Sequence, residues 1–357
     1  MRKETYEVPN EVSEETVKTF LRLNQFETWL RELVYVQLKA NLGDKWWDTT
    51  ETLLRRAGGG GIPASKSRAK DKKHPHMATP ETDPIWFLSF ESLQKIIFDK
   101  RLWRYFHRFL TTKALLRAKF DEITPIRNRV AHCRALHKAD LDRVETLMRD
   151  LDQGFWSFCT SYNHLSPLRG NAETHPVAAL VADWTRLHRP ERTGVLVDVN
   201  YALISNGARI EKRKPPRRGV IYRATIYREP GSGRYFDYPA ILEWTRHLHQ
   251  RVIHLILDSF QEIFHVTIPG LLEPEDALDL IEEFHGACAN SYTVFPLVSH
   301  EVRAPKSDPR AEYALAVRPF ELIAAEWPHY VLPPSNPLAF LTPDCPCSFF
   351  EVRRPGH

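Results

Sequence analysis

The chain has 357 residues, with 49 lysines and arginines against 45 acidic residues for a net charge of +4. Its 43% hydrophobic and 26% charged content is that of a folded chain and excludes wholesale disorder. The length admits two domains. No apolar run approaches the roughly 18–20 residues that a bilayer span needs, and Met1 to Asn10 leads into no signal-like apolar core. A cytoplasmic location without a membrane partner is therefore expected. Cys133, Cys159, Cys288, Cys345 and Cys347 are too few and too scattered for a disulfide scaffold or a four-ligand zinc site, so no metal and no cofactor are expected. The nearly balanced charge neither requires nor excludes a nucleic-acid partner.

From Asn10 to about Leu54, apolar residues recur at three- and four-residue steps (Leu21, Leu23, Phe26, Leu30, Leu33, Val34, Leu38), the period of a helix. Residues 58–83 carry four consecutive glycines, three prolines and a basic cluster from Lys66 to Lys73. Nothing there can build a core, and a flexible surface insertion is expected. Helical periodicity returns after Ser89, a candidate N-cap, through Leu93, Ile96, Ile97, Leu102, Trp103 and Phe106. A further helix from about Lys113 to Ile123 is expected to stop at Thr124-Pro125, where threonine and proline signal a new start. Two more helical stretches follow, through Leu136 and from Ala139 to Tyr162. Residues 1–165 thus read as an all-α helical bundle.

Residues 166–192 read as a connector with one short helix over Val177–Leu187. From 193 to 357 the character is α+β. GVLVDVNYALI (194–204) and GVIYRATIY (219–227) are rich in β-branched and aromatic residues, as strands are. A long amphipathic helix is expected over Tyr238–Phe264, which would place His247, His249 and His254 on one helix, and another helix over Pro274–Gly286. YTVFPLV (292–298) and YALAVRPF (313–320) read as further strands.

One segment carries chemistry. Thr124 to Leu136 reads TPIRNRVAHCRAL. On a helix of roughly 100° per residue, Ile126, Val130 and Cys133 form an apolar face, and Arg127, Asn128 and His132 fall across the opposite arc. Asn128 and His132, four apart, are surface neighbours. A guanidinium grips phosphate oxygens bidentately. An imidazole moves protons near neutral pH. Together they are a minimal set for cleaving RNA by attack of the neighbouring 2′-hydroxyl. As side chains alone, the trio equally fits a solvated helix face with capping or salt-bridging roles.

The segment resembles the HEPN superfamily (higher eukaryote and prokaryote nucleotide-binding helical domains), whose ribonuclease members carry RNxxxH, here Arg127-Asn128-Arg129-Val130-Ala131-His132. LSFESLQKIIFDKRLWRYFHRF, LLRAKFDEITPIRNRVAH and LDRVETLMRDL are similar to the stand-alone, defence-associated branch, over about residues 15–160. The resemblance implies a HEPN helical bundle followed by an α+β domain that senses a trigger or presents substrate. It implies a homodimeric, metal-independent endoribonuclease in which two RNxxxH segments face each other across a two-fold axis, an interface expected on the helices around 125–160. Arg127 would stabilise charge on phosphate, His132 would transfer protons, and Asn128 would orient the imidazole or contact phosphate. The products would be 2′,3′-cyclic phosphate and 5′-hydroxyl ends. The implied partners are a tRNA or mRNA substrate and, for a toxin or antiviral nuclease, an antitoxin, a phage trigger or a larger defence complex. A catalytically inactive HEPN module that dimerises and scaffolds a partner or RNA is the alternative.

Other features carry less. The run Arg209 to Arg218 has six basic residues and one acid. Lying between two strands, it reads as an exposed loop whose Lys212, Arg213, Lys214, Arg217 and Arg218 dock an RNA backbone through phosphate neutralisation. Gly60 to Ser67 imitates a phosphate-binding loop without the strand and helix that the motif requires. The five N-terminal tryptophans, Trp29, Trp46, Trp47, Trp86 and Trp103, read as core and interface aromatics.

Overall fold

Ser13 opens the first helix by accepting a hydrogen bond from the Thr16 N–H, and Glu14 and Glu15 follow in the first turn, where carboxylates complement the helix dipole. This computed structural model describes residues 13–57, 84–168, 176–205, 217–228, 232–258, 262–294, 322–323, 330–331 and 349. Helix α1 (Glu14–Leu42) ends at Gly43, which takes a positive φ of 58°. A 3-10 turn over Gly43–Lys45 leads into helix α2 (Trp46–Arg56), so the stretch expected as one helical region is two helices joined by that turn. Ser89 caps α3 (Phe90–Phe98) as expected. A one-turn helix α4 (Trp103–Phe106), α5 (Lys113–Ala131) and α6 (Asp140–Asn163) complete the N-terminal bundle. Gly154 lets the chain after α4 press onto α6, because a Cβ there would lie 2.0 Å from the Phe109 carbonyl oxygen.

The expected break at Thr124-Pro125 does not occur: α5 runs through Pro125. Proline removes the N–H that would bond the Asp121 carbonyl and crowds it. Asp121 and Pro125 both lie on the exposed side of the helix, where water can serve that carbonyl. On the inner side, Ile123 and Ile126 are buried. The Thr124 hydroxyl donates to the Phe120 carbonyl at 2.7 Å and accepts from Gln94 on α3 at 3.1 Å. Burial of both flanks holds the helix together across the proline.

The C-terminal part is an antiparallel sheet with helices. Strands β1 (Ser166–Pro167), β2 (Val195–Leu203), β3 (Val220–Arg228), β5 (His254–Asp258), β6 (Ile263–Pro269), β8 (Leu322–Ile323) and β9 (Tyr330–Val331) form a seven-stranded sheet in the order β1-β2-β3-β6-β5-β9-β8. β4 (Tyr235–Phe236) pairs with β7 (Tyr292–Thr293). Helices α7 (Pro176–His188), α8 (Tyr238–Trp244) and α9 (Pro274–Asn290) complete it. Alternation along β3 sorts its side chains: Tyr222, Ala224 and Ile226 join a core with α7, α8 and α9, whereas Ile221 joins the core of the helical bundle. The sheet is therefore covered by helices on both faces.

The long helix expected over Tyr238–Phe264 is instead α8, a 3-10 turn at Arg246–Leu248 and strands β5 and β6. His247 and His254 accordingly lie on different elements. The 313–320 strand, most of 292–298, the 58–83 insertion and Cys345 and Cys347 lie outside the described residues. Trp29 and Trp46 are buried, and Trp47, Trp86 and Trp103 pack against the same core.

Helix α1 joins the two parts. Its second half is buried on every side, so its polar residues find partners in the sheet region. Gln37 donates to the Ile204 carbonyl at 2.7 Å, Asn41 to the Ser205 hydroxyl at 2.8 Å, and the Tyr35 hydroxyl to the Ile253 carbonyl at 3.0 Å. The Gly219 N–H bonds the Ala40 carbonyl at 2.9 Å. At the centre, Nε2 of His254 lies 2.8 Å from Oε1 of Glu32, both side chains fully buried, and Nδ1 of His254 is 2.6 Å from the Tyr162 hydroxyl. Burial pushes the Glu32 carboxyl above its ordinary range. Burial alone would lower His254, but Tyr162 and Glu32 outweigh it and raise the imidazole to about 9.

Candidate active site

The last turn of α5 and the loop to α6 hold the RNxxxH residues. The helix ends in a Schellman motif: the Arg134 N–H bonds the Arg129 carbonyl at 2.8 Å and the Cys133 N–H bonds the Val130 carbonyl at 3.1 Å. Cys133 occupies the left-handed position with φ of 52°. It is exposed, so it does not extend the apolar face as expected; that face is Ile123, Ile126 and the half-buried Val130. His132 is the C-cap, with its N–H bonded to the Asn128 and Arg129 carbonyls.

Arg127 leans toward α1. Its Nε donates to Oε1 of Glu27 at 2.9 Å, and the other oxygen of Glu27 accepts from Arg31 at 3.0 Å. Arg31 in turn donates to the Leu88 carbonyl at 3.1 Å. The Arg127 side chain is 31% exposed and that of Glu27 only 12%. Among the described residues no group bonds the two terminal nitrogens of Arg127, which remain free to grip an oxyanion. Glu27 carries no motif. Its one signal in the sequence is an acid four residues before Arg31, at ion-pair spacing on a helix.

Asn128 and His132 are both exposed, and among the described residues no hydrogen bond joins their side chains. Arg127 and His132 stand five residues apart, roughly 140° around an ideal helix. The guanidinium lies against α1, and on that helical geometry His132 starts from another side of the helix end.

Arg129, the variable position after the Arg-Asn pair, has a structural task. It donates to Oδ2 of Asp140 at 2.6 Å, and the same oxygen accepts the His137 N–H at 2.9 Å. Asp140 is fully buried at the start of α6. Burial pushes its carboxyl up, but the His137 N–H and Arg129 prevail and hold it below its ordinary value. This clamp fixes the turn that carries His132.

Of the five basic residues expected to dock RNA, Arg217 and Arg218 are described. Lys212, Arg213 and Lys214 lie outside the described residues. Arg218 is exposed, but Arg217 is 6% exposed, with its N–H bonded to the Gly270 carbonyl at 2.8 Å. Its guanidinium packs into the interior at the base of β3, so Arg217 is no part of a solvent-facing RNA surface. Among the described residues, no three His, Cys, Asp or Glu side chains gather as a metal site, and no helix is long and apolar enough to cross a membrane.

No family model matches the chain, and neither a curated protein nor a solved structure matches it.

Proposed function

We propose that this protein is a HEPN-type endoribonuclease that cuts RNA by attack of the 2′-hydroxyl on the adjacent phosphate, leaving 2′,3′-cyclic phosphate and 5′-hydroxyl ends. The observation that carries the reading is the state of Arg127: a nearly buried carboxylate holds its Nε, its terminal nitrogens are left over, and exposed Asn128 and His132 project from the same helix end. A guanidinium fixed in this way is preorganised for the charge that develops on a phosphate in the transition state. His132 moves the proton of the 2′-hydroxyl or of the leaving oxygen, and Asn128 contacts the phosphate or orients His132.

The angular separation of Arg127 and His132 within one chain supports a homodimer, in which a second copy brings its own Arg127 and His132 to a shared site. In this reading the substrate is a tRNA or mRNA, the setting is a toxin or antiviral response in the cytoplasm, and an antitoxin, phage component or larger complex controls the activity. The competing reading is a non-catalytic HEPN scaffold. It is favoured by the Arg127–Glu27 ion pair itself, which an arginine with a purely structural role would also form.

Purified protein incubated with total RNA in a chelator separates the two. Cleavage by the wild type with cyclic-phosphate ends, lost in His132→Ala, supports the nuclease. Intact RNA with both proteins, even alongside the triggering component, supports the scaffold.

A further inference from the structure

A cleft of about 390 Å³ opens on the helical bundle where the C-terminal ends of α2 and α3 meet α5. Leu53 and Phe98 form its apolar floor, and Arg56, Lys95, Arg101 and Arg117 its charged walls. Asp99 is the one acid lining it, and its Oδ1 is already committed to the backbone N–H groups of Arg101 and Leu102 at 2.8 and 3.2 Å. Lys95 pairs with Glu91 at 2.7 Å. Arg56 and Arg117 are exposed, and among the described residues neither has a carboxylate partner. The Arg117 guanidinium carbon lies 5.0 Å from the centroid of the Phe98 ring.

We propose that this cleft binds a nucleotide unit of single-stranded RNA, with the base against the Phe98–Arg117 stack and a phosphate between Arg56 and Arg117. Three features combine to select that ligand. Its volume is that of a small-molecule site. An aromatic ring paired with a planar cation offers a stacking platform for any base. Two arginines without counter-charges supply the phosphate attraction that gives sequence-blind, salt-sensitive affinity. A carboxylate or sulfate ligand would use the cations but leave the platform idle. Arg117 and Arg127 lie on one helix, ten residues or about 15 Å apart along its axis, so one strand of a few nucleotides can touch both.

The choice of RNA as ligand rests on the nuclease reading, whereas binding is measured independently of cleavage. In a His132→Ala background, binding of a short uridine oligonucleotide is measured across salt concentrations, with free uridine monophosphate as a second arm. Replacing Arg56 and Arg117 together by Gln removes two exposed charges and touches no core residue. The double variant is expected to keep its circular dichroism and thermal midpoint and to bind the oligonucleotide at least tenfold more weakly. Its salt slope should be flatter by about 0.7 for each phosphate that is no longer neutralised. Phe98→Leu is expected to weaken binding while leaving the slope intact. Unchanged oligonucleotide affinity and slope in the double variant, or no binding by the parent protein, overturns the assignment. So does uridine monophosphate binding that needs both arginines while the oligonucleotide does not, which would give the cleft to a free nucleotide. If RNA binds through the cleft but the protein with His132 restored cuts nothing, the nuclease reading falls and this site stands.

Discussion

Glu27 and Arg127 meet side by side, Oε1 to Nε at 2.9 Å, and the contact decides where the guanidinium points. Because Glu27 is itself held by Arg31, and Arg31 by the Leu88 carbonyl, Arg127 is fixed by a chain of bonds reaching from α1 to the start of α3. Glu27→Ala should release the guanidinium and lower the rate of RNA cleavage by about 10- to 100-fold, the scale of a misplaced catalytic group. Glu27→Gln retains an acceptor for Nε and should recover most of the rate. Single-turnover cleavage by the three proteins checks this. Equal loss in both variants would mean that the charge of Glu27, and not the orientation it imposes, is what matters.

The clamp between Arg129 and Asp140 gives a prediction about acid. A carboxyl held below its ordinary value in the folded state adds stability above its unfolded value, near 3.8, and that stability is lost as pH falls through the folded value. The contribution should therefore be complete at neutral pH and disappear only in strong acid. Arg129→Ala leaves the buried Asp140 with fewer partners and should destabilise the protein at pH 7 by about 2–3 kcal/mol. Urea unfolding at pH 7 measures the loss, and the stability that the clamp lends the wild type should decline only as pH falls below 3.8.

His254 works in the opposite direction. Its imidazole is raised from 6.5 to about 9 in the fold, so its contribution is fully present below pH 6.5 and is lost as pH rises through 9. A shift of that size corresponds to about 3 kcal/mol, an upper bound because burial of the Glu32 carboxylate opposes it. The thermal midpoint should fall between pH 6.5 and 9, and His254→Phe should flatten that dependence. A wild-type profile with no slope in this window would show that the buried pair carries no proton-linked stability.

The elements around the site are legible from side-chain period, and the contacts that tune it are not. The helices after Ser89 and from residue 139 onward follow three- and four-residue steps that one-sided burial imposes. Strands β2 and β3 announce themselves by β-branched and aromatic runs. β5 reads as helix in the sequence because its Leu255, Ile256 and Leu257 are all buried between two helical layers. A strand buried on both faces shows no alternation and is indistinguishable from a buried helix by period. Pro125 reads as a helix start because local signals cannot show that Ile123 and Ile126 are held from inside. Glu27 and Glu32 lie on α1, remote in sequence from Arg127 and His254, and no spacing rule connects them.

Gly154 gives a prediction independent of function. Alanine would place its Cβ against the backbone carbonyl of Phe109, a contact that no side-chain rotation relieves. Gly154→Ala should destabilise the bundle by about 3 kcal/mol or more, since overpacking in a close-packed interior forces backbone shifts. A lowered thermal midpoint with unchanged secondary structure is expected. A neutral effect would mean that the segment carrying Phe109 moves freely away from α6.

The most direct test is cleavage of a single RNA by wild type, Arg127→Ala and His132→Ala under single-turnover conditions in a chelator, with the fold of each confirmed by circular dichroism. Arg127 is half-exposed and His132 exposed, so neither substitution should unfold the chain. Chelator-resistant cutting by the wild type, with 2′,3′-cyclic phosphate ends and no detectable product from either variant, is the predicted result. Equal cutting by wild type and His132→Ala, or cutting that stops when divalent metal is removed, would contradict the assignment of the chemistry to Arg127 and His132.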